Sequence, residues 1–106
     1  MDKKVKKLWV AALRSGKYKQ TKGALINRNG SKPSYCCLGV LAKVQGAKFR
    51  KDDGYPVLNG EFCGTSGLLC PGVSAGLVEK SQRFLARLND DGEDFNYIAD
   101  QIERRY

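Results

Sequence analysis

WVAALRSGKYKQTKGALINRNGSKPSYCCLGVLAKV, residues 9–44, is the stretch whose reading decides the fold. Its first part belongs to a helix predicted over residues 3–15. Val5, Leu8, Trp9, Ala12 and Leu13 recur at three- and four-residue steps, and Lys3, Lys4, Lys6, Lys7 and Arg14 fill much of the remaining surface. Asp2 is placed to cap this helix and Gly16 to stop it, and Trp9 is expected in the core. Ala24, Leu25 and Ile26 then read as a short strand within residues 24–28, followed by the turn dipeptide Asn29-Gly30 and by Pro33. The apolar run YCCLGVLAKVQG reads as a second helix of about ten residues, with Cys37, Leu38, Leu41 and Val44 as its apolar positions. Gly39 inside it costs helix propensity and admits a close neighbour, and Gly46 ends it.

Working outward, Asp53-Gly54 and Asn59-Gly60 bracket the apolar residues 55–58, which predicts a small antiparallel hairpin joined by the 24–28 strand. A short helical turn is expected around Leu68 and Leu69. Residues 75–89 contain a third helix with Leu77, Phe84, Leu85 and Leu88 on its apolar face. Residues 95–105 form a fourth, with Phe95, Ile98, Ala99 and Ile102 as its stripe and Asp94 as its cap. These two make an αα-hairpin across an acidic connector, Asp90, Asp91, Glu93 and Asp94. The expected architecture is a single α+β domain spanning residues 1–106, about four helices with a small antiparallel β-sheet. Trp9, Leu13, Leu38, Leu41, Phe84, Leu85, Leu88, Ile98 and Ile102 are assigned to one core.

Charge divides this chain in two. Fourteen of its nineteen Lys and Arg residues and only one of its eleven acids fall within residues 1–51, so that half carries +13 and the remainder −5. A cationic surface of that strength attracts nucleic acid, nucleotides, anionic lipid or an acidic protein. No run approaches the 18 apolar residues of a membrane span. The basic N-terminus lacks a long apolar segment and a cleavage site, which predicts a cytoplasmic helix, not a secretion signal. Without such a signal the four cysteines, Cys36, Cys37, Cys63 and Cys70, are expected as thiols.

Enzyme chemistry finds little support in these residues. The chain has no histidine, which removes Ser-His-Asp, Cys-His and histidine-based acid–base schemes. Cys36 or Cys37 at a helix start could have a lowered pKa, so a cysteine-dependent enzyme is the catalytic alternative. No metal site is expected: Cys36 and Cys37 are adjacent, and six residues separate Cys63 from Cys70, a looser spacing than a zinc knuckle. A Cys63–Cys70 disulfide is the competing account of that pair. The acidic connector is too short for an EF-hand, and no phosphate-loop or dinucleotide fingerprint occurs. The reading is therefore a non-enzymatic protein without a cofactor. Its candidate ligand site is Arg14, Lys17, Tyr18, Lys19, Gln20, Lys22, Arg28 and Tyr35, where cations to hold phosphate alternate with rings that can stack and an amide that can recognise. The partner is an anionic small molecule or nucleic acid, or else an acidic protein surface. Duplex reading by the C-terminal hairpin is disfavoured, because its acidic connector repels a phosphate backbone.

WVAALRSGKYKQTKGAL, YCCLGVL and LNDDGEDFNYIADQIE together resemble a family of small, mostly uncharacterised accessory proteins of tailed bacteriophages and prophages. Members are similar to this chain in a W-x-x-A-L-R-S-G-x-Y-x-Q segment, in C-C-L-G-V-L, and in L-N-D-x-G followed by F-x-x-I-A-D. The resemblance is weakest over residues 48–78. It implies an accessory protein acting in the host cytoplasm to counteract host defence, by binding a signalling nucleotide or nucleic acid or by inhibiting an acidic host protein.

Overall fold

The computed structural model describes all residues except Cys63, Thr65, Ser66 and Pro71. Helix α1, Lys3–Arg14, starts where the Asp2 carboxylate accepts the Val5 N–H at 2.9 Å, and it turns Trp9, Val10 and Leu13 inward. Helix α2, Cys37–Val44, is buried on nearly every side, as its mainly apolar sequence requires. Helices α3, Glu79–Asp90, and α4, Phe95–Arg105, form the expected αα-hairpin, and the Asp94 side chain caps α4 by accepting from Tyr97 N–H at 2.8 Å. Trp9, Leu13, Leu38, Leu41, Leu85, Ile98 and Ile102 share one core. Phe84 and Leu88 lie at its margin, half-buried, and Arg105 covers the Phe84 ring with its guanidinium 4.6 Å from the ring centre.

The strands are short and form two sheets. In the first, β1 (Lys19–Gln20) pairs parallel with β3 (Ser34–Tyr35), which pairs antiparallel with β2 (Ile26–Asn27). In the second, β4 (Lys48–Phe49), β5 (Pro56–Leu58) and β6 (Glu61–Phe62) form an antiparallel meander. The hairpin predicted between the DG and NG turns is therefore present. The strand expected within residues 24–28 belongs to the other sheet, since its partners are Ser34 and Tyr35 just before α2. Around Leu68 and Leu69 a bridge from Gly64 to Leu69 replaces the expected helical turn.

Gly39 makes the close approach its position predicts. A Cβ there would lie 2.0 Å from the Leu25 carbonyl oxygen. Only glycine lets α2 lie against the backbone of residue 25, whose carbonyl accepts the Cys36 N–H at 3.1 Å.

Candidate functional site

Asn89, fully buried at the end of α3, joins three distant segments. Its Oδ1 accepts from Gln20 Nε2 at 2.9 Å and from the Cys37 N–H at 3.2 Å. Its Nδ2 donates to the Thr21 carbonyl at 2.7 Å and to Asp90 Oδ1 at 3.3 Å. Gln20 Nε2 also donates to the Glu93 carbonyl at 2.8 Å, and Gly23 N–H donates to Asp90 Oδ1 at 2.9 Å. Trp9 Nε1 closes the assembly by donating to the Cys37 carbonyl at 2.8 Å. The residues that look most like a signature in the sequence thus hold one another: the tryptophan, the glutamine, the paired cysteines and the L-N-D turn. Buried polar groups must be paired, and here each supplies another's partner.

This assembly divides the eight candidate ligand residues. Gln20 is turned inward, its amide N–H groups committed to Asn89 and Glu93. Tyr35 is buried between Tyr18, edge-on with ring centres 5.5 Å apart, and Phe49 at 5.9 Å. Burial raises its phenol pKa, against the nearby Arg28 charge. Arg14 is held by Asp100 and Glu103 of α4, whose hydrogen bonds raise its pKa, Asp100 most. Lys22 lies over the acidic connector, its Nζ 3.6 Å from where a Gly92 Cβ would stand. Arg28 donates to the Phe49 carbonyl at 2.9 Å and borders a polar cavity of about 300 Å³ with Arg50, which pairs with Asp52 at 3.0 Å. Lys17 and Lys19 are exposed beside half-buried Tyr18. Tyr18 and Tyr35 come together, but the eight do not converge on one cavity.

Cys36 and Cys37 are not poised as nucleophiles. Cys36 caps α2, its sulfur accepting the Gly39 N–H at 3.4 Å, yet burial outweighs that bond and pushes its thiol up to about 11. Cys37 is wholly buried and raised well above the ordinary thiol value, first by burial and then by Cys36; its S–H faces the Leu85 carbonyl at 3.6 Å. The lowered pKa expected of a helix-start cysteine is corrected on both counts: desolvation wins over the helix terminus. Cys70 is exposed, and the Cys63–Cys70 pairing involves a residue outside those described. Among the described residues no cluster of acids and cysteines could hold a metal ion, and no helix is long and apolar enough to cross a membrane.

A basic groove lies instead between α1 and α4. Lys3, Lys6 and Lys7 line it, Val10 and Ala11 form its apolar wall, and its volume is about 360 Å³. Lys6 Nζ donates to the Glu103 carbonyl at 3.3 Å, while Lys3 and Lys7 are exposed. In the sequence these lysines read as the solvated side of an amphipathic helix. The available signal was their place in the first turns of α1, where a helix favours acids and this one has only the Asp2 cap.

A family model matches residues 1–54, which contain α1, the first sheet, α2 and β4. No curated protein and no solved structure matches the chain. With just over half of its length matched, the chain belongs to the family described as Domain of unknown function (DUF8296).

Proposed function

We propose that this protein binds a phosphate-bearing anion through its basic half and releases it unchanged, serving a tailed phage or prophage as an accessory protein in the host cytoplasm. One observation carries the reading. Eleven of the twelve lysines lie in residues 1–51, and among the described residues no lysine makes an ion pair with a carboxylate. The internal ion pairs are made by Arg14, Arg50 and Arg83. A row of ammonium groups left to solvent costs self-repulsion in the free protein and attracts an anionic partner. Burial of Cys36 and Cys37 in their thiol forms favours binding over covalent chemistry.

The test is native mass spectrometry of protein recovered from phage-infected cells, followed by denaturation and identification of what it carried. An intact anionic molecule is the expected cargo. With purified protein, affinity for it should fall with salt, by roughly 0.7–0.9 in log–log slope for each phosphate of a nucleic acid. A protein that carries no anion and instead retains one host protein through an acidic surface would replace this reading with inhibition by contact. Turnover lost in Cys36→Ala would replace it with thiol catalysis.

A further inference from the structure

The groove between α1 and α4 is electrostatically arranged against the stability of its own helix. Lys3 and Lys4 are the first two residues of α1, and no acid follows Asp2 in that turn. Cations there oppose the positive end of the helix dipole. Lys3 and Lys7 stand four residues apart on one helix face, a spacing at which like charges repel. Both line the groove with Lys6, and none of the three is paired with a carboxylate among the described residues. Toward the other end Arg14 pairs with Glu103, which also lines the groove, and with Asp100, which does not. Arg14 lies eleven helical steps beyond Lys3, about 16 Å along the axis. The cavity lining is thus cationic along Lys3, Lys6 and Lys7, neutral where Arg14 meets Glu103, and apolar along Val10 and Ala11.

Resting on the anion-binding reading above, we infer that this groove seats a compact organic phosphate, its anionic oxygens on Lys3 and Lys7 and its body on Val10 and Ala11. Lysine serves phosphate as a point charge, needing no fixed fork, and the helix N-terminus adds its own field. The volume of about 360 Å³ lies at the small end of ligand pockets, enough for a body of nucleoside size. Unpaired cations are confined to the lysine stretch, since Arg14 is already held by Glu103, so a continuing phosphate chain finds no further free charge along the groove. A compact ligand therefore fits better than a polymer.

ATP, inorganic pyrophosphate and a twelve-residue oligothymidylate are titrated calorimetrically into the full chain. Three altered proteins follow: Lys3→Gln with Lys7→Gln, Ala11→Phe, and Lys17→Gln with Lys19→Gln, with Lys80→Gln as a neutral control. ATP should bind the natural protein more tightly than pyrophosphate. The Lys3/Lys7 pair should weaken it at least ten-fold, and Ala11→Phe should do so without any change of charge. Lys80→Gln should stay within two-fold. Loss of ATP binding in the Lys17/Lys19 pair, with the groove variants unaffected, removes the groove and leaves the anion-binding reading intact. Binding of the oligonucleotide but not of ATP overturns the compact ligand. If none of the three probes binds the natural protein, the anion-binding reading fails together with the groove.

Discussion

Replacing Asn89 by alanine tests the polar assembly that joins the two halves of the chain. The side chain is 0% exposed and makes four hydrogen bonds. Gln20 Nε2 keeps Glu93 as a partner after the change, whereas the Cys37 N–H and the Thr21 carbonyl lose Asn89. A buried group left unpaired costs about 1–3 kcal/mol, and two such groups with a small void place the loss at about 3–5 kcal/mol. Against a total stability of about 5–15 kcal/mol, that is a large share. Urea unfolding followed by the fluorescence of Trp9, the single tryptophan, reads it directly. Gln20→Ala should cost less, and the double mutant should reveal coupling of about 0.5–3 kcal/mol. Asn89→Asp sharpens the test. It keeps an acceptor for Cys37 but sets an anionic oxygen against the Thr21 carbonyl and Asp90. A carboxyl buried there has a raised pKa, so the folded form binds the extra proton and the deficit should shrink as pH falls. A cost below about 1 kcal/mol for Asn89→Ala at an unchanged urea slope, or no coupling to Gln20, would refute the reasoning.

Gly39→Ala sets two effects in opposition: alanine favours a helix by about 1 kcal/mol, but its Cβ would meet the Leu25 carbonyl oxygen at 2.0 Å. The clash should win by about 3 kcal/mol in urea unfolding, and a stabilised variant would disprove the close approach. For the thiols, a chromogenic disulfide reagent at pH 8 should label exposed Cys70 rapidly, and Cys36 and Cys37 only at the rate of unfolding. The unfolded Cys36 thiol ionises near 9.0 and the folded one at about 11, so the folded state holds the extra proton between them. Its contribution is complete below pH 9 and is lost as pH rises toward 11, and Cys36→Ser should remove that part of the decline in alkaline unfolding curves.

The elements legible in the sequence are those whose signals are local. The 3.6-residue stripe of α1 and α4 and their carboxylate caps at Asp2 and Asp94 name themselves, as does Gly39 in an otherwise apolar helix. The parallel pairing of Lys19 and Gln20 with Ser34 and Tyr35 was not legible, because two-residue strands carry no alternation. Gln20 illustrates the same limit at the site. An amide amid cations reads as a ligand contact, and its actual partners stand 69 and 73 residues away. The cysteines misled for a related reason: a helix start lowers a thiol pKa, but only burial, a property of the whole fold, decides the sign.

The buried asparagine also constrains the order in which the chain can become structured. A ribosome releases the first 54 residues, the part the family model covers, well before residue 89. Until then the Cys37 N–H and the Thr21 carbonyl lack Asn89, and Arg14 lacks its acidic partners on α4. Closing a loop of some seventy residues between Gln20 and Asn89 carries an entropic cost that local helix formation cannot offset in advance. The nascent basic half therefore waits, cationic and incompletely paired, for the last third of the chain to lock it. Native structure is then expected late and together, and residues 1–54 cut away from the αα-hairpin lack Asn89, Asp100 and Glu103 as partners.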